Sequence, residues 1–241
     1  MNLKEIAQRA RRIIIESSYQ TKACHIGSAL SAVDILVDLY FRRMKREDLF
    51  IFSKASGVAA LYAVLALRGF FSEKKVVYYL KKYPLPSKKV PGVLISGGSC
   101  GHGLPIAVGM ALADRQFKGY LYDIPIYLSP KIRTIWCLMS DGELQEGTTW
   151  ESLLFKRQHK LDNLKIIVDN NGWQACGRIE DILDIPWNFL KFMGVERIKT
   201  IKGKGISFME REGNVWHYKN LDENTYQAAI HELADKKGQK G

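Results

Sequence analysis

The sequence lacks the marks of a membrane-spanning, secreted or disulfide-stabilised protein. None of its apolar runs reaches the ~20 residues that a bilayer-spanning helix needs. The opening residues, MNLKEIAQRARRIII, carry charges throughout and are followed by no small-residue cleavage site, so we expect no secretory signal. Only 4 of the 241 residues are cysteine, and no two of them have C-x-x-C spacing. These absences predict a reduced, cytoplasmic protein with no membrane partner.

Acidic residues are also in the minority. The chain has 36 Lys and Arg against 25 Asp and Glu, which gives a formal net charge of +11. Excess positive charge suits binding to nucleic acid. The basic residues are scattered, however, over residues 9–12, 42–46 and 81–89, and no nucleic-acid-binding motif accompanies them. We therefore expect no nucleic-acid partner, and an acidic partner subunit or plain solubility explains the charge as well.

The first half of the chain reads mainly as helices and loops. Apolar residues at helical spacing predict helices over residues 3–20 and 57–69, and DLFIFS, residues 48–53, reads as a short strand. Ser31 begins the capping box SAVD, which predicts that a helix starts there. The turn-rich YPLPSKKVPGVLISGG precedes a glycine-rich loop and a helix of small residues, SCGHGLPIAVGMALADRQF. The apolar loop YLYDIPIYLSP suggests packing on another chain.

Two continuous apolar runs in the second half, TIWCLMS and LKIIVDN, are typical of strands that are covered on both faces. The segment between them reads as a helix with a capping box at Thr148 and Glu151. Strand, helix and strand of these lengths predict a βαβ unit, and hence an α/β fold whose parallel sheet has helices on both faces. No linker or repeat divides the chain. We therefore expect one domain over residues 1–235 and a flexible tail, KKGQKG, at 236–241.

Polar residues follow both strands of this βαβ unit. Asp141 and Gly142 leave the first strand, and DNNGW leaves the second. In a parallel sheet the carboxyl ends of the strands share one edge, where ligands bind. Asp141, a side-chain oxygen of Asn170 or Asn171 and a turn backbone oxygen would suit Mg²⁺, and Gly142 would admit a phosphate. Each piece alone is also an ordinary turn signal, and acids in this place favour a helix N-terminus.

Five segments of the sequence resemble one enzyme family. SDGELQEGTTWES and the later NNGWQ resemble the thiamine-diphosphate motif of transketolases, usually written GDG followed by NN. HIGSALSAVDIL, GGSCGHGLPIAVGMALA and IKGKGISFMEREGNVWH are similar to further family segments, in family order. The chain resembles only the first third of a full-length transketolase, the diphosphate-binding domain. The resemblance therefore implies the N-terminal subunit of a split transketolase, whose pyrimidine-binding and C-terminal domains lie on a separate polypeptide.

The resemblance assigns roles to the matching residues. It implies that Asp141, Asn171 and the backbone oxygen of Trp173 bind Mg²⁺. It implies that His25 and His217 act on the substrate. The residues implied for cofactor binding are Gly98, Ser99, Cys100, Gly142, Glu143, Asn171 and His217.

Some of these positions have plainer interpretations. Outside the resemblance, His25 would be an ordinary loop histidine, His217 would cap the aromatic residues beside it, and Lys204 of GKG would be a loop residue. Glu146 matches an acid at the family's dimer interface.

Other positions depart from the family. Ser56 stands in SKASGVAA where the family has a histidine near the thiazolium, and LPSKKVPG replaces a GHP loop. Losing two histidines while keeping the metal and diphosphate residues suggests retained thiamine chemistry on an altered substrate.

The resemblance as a whole implies transfer of a two-carbon ketol unit from a ketose, a sugar or sugar phosphate, to an aldehyde. Thiamine diphosphate and Mg²⁺ would be the cofactors, and the enzyme would be active only as an α2β2 assembly with the C-terminal subunit. One alternative is a component of another thiamine-diphosphate enzyme, acting on an α-ketoacid. The other is a non-catalytic regulatory subunit that kept the fold.

Overall fold

A parallel four-stranded sheet forms the centre of the protein. The computed structural model describes residues 2–117 and 132–235. The strands lie in the order β1-β2-β3-β4, and each neighbouring pair is parallel. Their bounds are β1 Leu49–Phe52, β2 Ile135–Ser140, β3 Leu164–Asn170 and β4 Val195–Lys199. All the carboxyl ends therefore lie along one edge of the sheet, as the βαβ pattern predicted.

Helices cover both faces of the sheet because its central strands have apolar side chains on both faces. On β2, Trp136 and Leu138 enter one hydrophobic cluster, whereas Cys137 and Met139 enter the other. The first cluster is completed by α1–α4, α9 and α10, and the second by α5–α8. The helix bounds are α1 Leu3–Thr21, α2 Ile26–Asp38, α3 Val58–Leu67, α4 Lys75–Lys82, α5 Gly103–Phe117, α6 Gly147–Gln158, α7 Ile179–Ile182, α8 Trp187–Phe192, α9 Ser207–Glu212 and α10 Glu223–Asp235. The predicted fold class, α/β with a parallel sheet and helices on both faces, is confirmed.

The apolar periodicity located the helices of the first half well. Helix α1 begins at a capping box in which Asn2 and Glu5 exchange hydrogen bonds, and it covers the predicted residues. Helix α3 is buried on all sides, as its continuous apolar sequence indicated. Helix α4 was not predicted, although its apolar side chains Val76 and Leu80 are buried at helical spacing.

Two predicted helix starts are wrong. Helix α2 begins five residues before Ser31, after His25, whose backbone takes the left-handed conformation with φ +63°. Ser31 is a fully buried residue inside that helix. Helix α6 begins at Gly147 after extended backbone at Glu146, and the Thr148 hydroxyl donates to the Gly101 carbonyl (3.1 Å) instead of capping. In both places a tertiary contact uses the hydroxyl that the local pattern assigned to a cap.

Two sequence predictions concern segments outside the described residues. These are the apolar loop YLYDIPIYLSP and the tail KKGQKG. Within residues 2–117 and 132–235, no helix combines the length and apolarity needed to cross a membrane.

Candidate functional site at the carboxyl edge of the sheet

Asp141 lies at the carboxyl end of β2 and is held by the turn after β3. Ser140 and Asp169 are paired in register, which brings the two strand ends side by side. The buried Asp141 carboxylate accepts hydrogen bonds from Gly142 N (3.0 Å), Asn170 Nδ2 (3.1 Å) and Gly172 N (2.7 Å). Gly172 has φ +79°, a conformation that favours glycine at this tight turn. Burial raises the pKa of Asp141, while Lys54 and the hydrogen bonds oppose the rise.

The structure distinguishes the two asparagines that the sequence left open. Asn170 donates its amide to Asp141, and its Oδ1 accepts from Arg197 Nε (2.6 Å). Asn171 is buried, donates Nδ2 to Ser31 Oγ (3.2 Å), and accepts at Oδ1 from Trp173 N (3.0 Å). The amide oxygen of Asn171 therefore faces the backbone of Trp173, and its NH₂ group faces Ser31.

Two lysines that no sequence motif singles out lie buried beside this edge. Lys54 and Lys202 are each 1% exposed. Lys54 Nζ forms an ion pair with the buried Asp169 carboxylate at 2.5 Å. Lys204, two residues beyond Lys202, is by contrast partly exposed and pairs with Asp34 at 2.8 Å. Buried lysines are rare unless paired, so their presence marks this edge as an unusual electrostatic environment.

The Lys202 ammonium has two uncharged polar partners. Its Nζ donates to Asn214 Oδ1 (2.7 Å) and lies 3.1 Å from His217 Nδ1. Among the residues that the structure describes, it forms no ion pair with a carboxylate. Burial and, secondarily, the charge of Lys54 lower the pKa of Lys202 to about 8. The charges of Asp141 and Asp169 oppose this lowering only in part. A buried ammonium that is in no direct ion pair is costly and favours the binding of an anion.

The two histidines expected to act on the substrate lie against each other beside Lys202. Their rings make an edge-to-face contact with centroids 4.6 Å apart, and His25 N donates to the His217 carbonyl (2.9 Å). Burial, then the charge of Lys202, lowers the pKa of His217 to about 4, and the same causes lower that of His25. Cys24 Sγ lies 3.0 Å from His25 Nδ1. At neutral pH both imidazoles are therefore uncharged.

Glu143 ties the loops around the site together. Its buried carboxylate accepts from Ser140 N (2.7 Å), from Gly101 N (3.1 Å) and from the Ser53 hydroxyl, and burial raises its pKa. The structure thus directs the Glu143 side chain into the protein, although the resemblance grouped it with the cofactor-binding residues. Gly98, Ser99 and Cys100 form the exposed loop that Gly101 anchors at its end.

The donor set at this edge fits Mg²⁺ and a diphosphate. No cluster of three or more His, Cys, Asp or Glu residues able to hold a metal ion occurs in the described parts of the chain. A cation here would rely on one carboxylate, Asp141, with amide and backbone oxygens, which are ligands that Mg²⁺ accepts. A phosphate oxygen would offer Lys202 a direct ionic partner, which the described residues do not provide. The cation and the diphosphate would thus each meet a buried group of opposite charge.

A parallel sheet covered on both faces, with polar groups gathered at its carboxyl edge, defines the chain as a ligand-binding domain of the open α/β class. The family of the chain can be stated more specifically than this fold class. The family model described as "Transketolase, thiamine diphosphate binding domain" matches residues 3–185. The chain belongs to this family, as the resemblance predicted.

Three relatives illustrate the extent of the similarity. A protein of Actinobacillus succinogenes, named as one subunit of an apulose-4-phosphate transketolase, is 33% identical over 270 residues, which cover 93% of each protein. Transketolase of Homo sapiens is 30% identical over 96% of this chain but only 42% of its own length. The crystal structure of transketolase from Campylobacter jejuni superposes with a TM-score of 0.81 at 22% identity, covering 97% of this chain and 43% of that one. The chain thus spans less than half of the full-length transketolases and nearly all of a protein named as a subunit.

Proposed function

We propose that the chain is the N-terminal subunit of a two-component, thiamine-diphosphate-dependent transketolase-like enzyme. It transfers a two-carbon ketol unit from a sugar or sugar-phosphate ketose to an aldehyde acceptor. The observation that carries this proposal is the presence at one edge of the sheet of a buried carboxylate, Asp141, and a buried ammonium, Lys202, that forms no ion pair among the described residues. The coverage of 93% on both sides with a protein named as a transketolase subunit supports the two-component form.

In this proposal the carboxyl edge of the sheet holds the cofactor. Asp141, Asn171 Oδ1 and the Trp173 carbonyl coordinate Mg²⁺. Gly142 allows close approach of the diphosphate, and Lys202 balances its charge. The loop of Gly98, Ser99 and Cys100 would contact the thiamine. When bound, thiamine diphosphate supplies the carbanion and the electron sink for carbon–carbon cleavage.

The neutral histidines handle protons on the substrate. Because the Lys202 ammonium donates to His217 Nδ1, the remaining proton of that ring lies on Nε2, where it is available to a substrate oxygen. His25, in contact with His217, offers a second neutral imidazole. General acid–base assistance of this kind contributes roughly 10²–10⁴-fold in rate. Because Lys202 occupies Nδ1 and the pKa of His217 is about 4, this ring is a weak base near pH 7, and its role is to donate a hydrogen bond from Nε2 to a substrate oxygen.

The remaining parts of the proposal concern assembly. The pyrimidine-binding and C-terminal domains come from a partner polypeptide, the complex is an α2β2 heterotetramer in the cytoplasm, and the isolated chain is inactive. Glu146 lies at the interface between subunits. Residues 1–235 form one domain.

Mixing the chain with the polypeptide encoded by the neighbouring gene tests the proposal. Ketol transfer that requires thiamine diphosphate and Mg²⁺ would support it. Pyruvate consumption would instead indicate an α-ketoacid enzyme, and no cofactor-dependent turnover would indicate a regulatory subunit.

Asp141→Ala tests the metal assignment in the same complex. We expect it to abolish Mg²⁺-dependent cofactor binding and to leave the fold intact, because the carboxylate lies at the rim of the sheet. Asp181→Ala, at an exposed position of α7, is the matched control and should bind normally. Normal activity of Asp141→Ala would refute the assignment.

A further inference from the structure

Ser31 is the centre of a buried hydrogen-bond cluster that joins three elements. Its hydroxyl oxygen lies 2.7 Å from Asp169 Oδ2, 3.1 Å from Lys54 Nζ and 3.2 Å from Asn171 Nδ2. It also lies 3.0 Å from the Ser28 carbonyl within α2. Ser31 and Asp169 are 0% exposed, so water does not substitute for these partners.

The proton count at this cluster fixes the direction of each hydrogen bond. Lys54 Nζ has only protons to give, and the Asp169 carboxylate that pairs with it has only lone pairs. The single Ser31 proton is therefore directed to an acceptor, Asp169 Oδ2 being the closer one. Lys54 donates to one lone pair of the Ser31 oxygen. The remaining lone pair accepts from a donor, and the nearest group is the amide of Asn171.

We infer that Ser31 is a positioning residue that fixes the side-chain amide of Asn171, so that its oxygen and not its NH₂ group is offered to the metal. In the opposite orientation, Asn171 Oδ1 would face the Ser31 oxygen. The Nδ2 hydrogens would then face the Trp173 N–H, which now donates to Oδ1 at 3.0 Å. Both contacts would be repulsive. The buried Lys54–Asp169 pair thus determines, through Ser31, which atom of Asn171 is available as a ligand.

This inference rests on the proposed function, because it assumes that Asn171 binds the cation. It adds a residue that contacts neither metal nor cofactor. Partners that orient a metal ligand typically contribute 10- to 100-fold in metal affinity, so roughly that loss is expected when the hydroxyl is removed.

The experiment measures the Mg²⁺ concentration that half-saturates thiamine diphosphate binding in the complex of this chain with its partner, by calorimetry. Ser31→Ala should raise that concentration by roughly 10- to 100-fold. At saturating Mg²⁺ the turnover number should stay within about twofold, because the bound cation restores the ligand orientation. Ser17→Ala is the matched control: Ser17 is also buried in a helix and donates to the carbonyl three residues earlier, Ile14 O (3.2 Å), away from the site.

The outcomes separate the inference from the proposed function. If Asn171→Ala weakens Mg²⁺ binding and Ser31→Ala behaves like Ser17→Ala, the positioning role is overturned and the metal assignment stands. If Asn171→Ala itself binds Mg²⁺ normally, both are overturned. If both variants weaken binding, the double variant should be no weaker than Asn171→Ala alone, and additive losses would overturn the inference. Should Ser31→Ala fail to fold, Ser31→Cys keeps a weak donor in place and should show an intermediate loss.

Discussion

Replacing Lys202 by methionine should stabilise the cofactor-free protein while weakening its binding of the cofactor. Methionine nearly matches the length of the lysine stem, which packs beside Gly27. The substitution removes a buried charge that has no counter-ion among the described residues. The stability of the protein and its affinity for the cofactor should therefore change in opposite directions.

The pKa of Lys202 sets the size of the stability effect. Its value is about 8, against the ordinary 10.5. At about 1.4 kcal/mol per pH unit, this corresponds to roughly 3 kcal/mol of destabilisation at pH 7, where the lysine is charged in both folded and unfolded states. Loss of the Asn214 hydrogen bond offsets about 1–2 kcal/mol. We therefore expect Lys202→Met to raise the free energy of unfolding by roughly 1–2 kcal/mol.

The pH dependence gives the prediction a second, independent readout. Between pH 8 and 10.5 the unfolded state binds more protons at Lys202 than the folded state does. Wild-type stability should therefore rise with pH across this window, and the rise should be smaller in Lys202→Met. Urea unfolding at pH 7 and pH 9.5, followed by tryptophan fluorescence, measures both quantities.

A control and a binding measurement complete the test. Lys204→Met changes a partly exposed lysine of the same loop, paired with Asp34, and should not alter the pH slope. Affinity for Mg²⁺ and thiamine diphosphate, measured in the complex with the partner, should fall roughly 10- to 100-fold in Lys202→Met, because an ionic hydrogen bond to phosphate is lost. A destabilised Lys202→Met protein with an unchanged pH slope would refute the electrostatic reasoning.

Three further predictions follow from the site. Glu143→Gln should lower the free energy of unfolding by about 1–3 kcal/mol, measured by urea titration, because an NH₂ group would oppose the donors of Ser140 or Gly101; unchanged stability would contradict this. Ser56→His should increase kcat/KM for ordinary ketose phosphates, by up to roughly 10²-fold, if the missing histidine shifted the substrate, and no increase would count against that shift. Cys24→Ala should lower kcat/KM by less than roughly 10²-fold and change the tautomer of His25 seen by ¹⁵N NMR, whereas Cys24→Ser should keep both close to wild type.

The fold was predictable because its central strands are continuous apolar segments. TIWCLMS and LKIIVDN became neighbouring parallel strands, and the rule that carboxyl ends share one edge was enough to bring Asp141 close to the asparagine turn. The family was predictable because its motifs consist of short contiguous segments. The strands and the family motifs were both predictable from residues that are close together in the sequence.

Features that depend on distant partners were not predictable. Ser31 and Thr148 have ideal capping patterns, yet each hydroxyl bonds to a residue far along the chain. Lys54 and Lys202 look like ordinary charged residues in sequence, and their burial depends on Asp169 and Asn214. Of these two lysines, only Lys54 could have been noticed in the sequence. It is the single charged residue among the small and apolar residues between β1 and α3.

The single carboxylate of Glu143 joins segments that arrive from different parts of the chain. Ser53 follows β1, Ser140 ends β2, and Gly101 lies two residues before the start of α5. Each of these segments thus depends for one hydrogen bond on the same carboxylate. We therefore expect these three segments to become ordered together during folding and to lose their order together on heating.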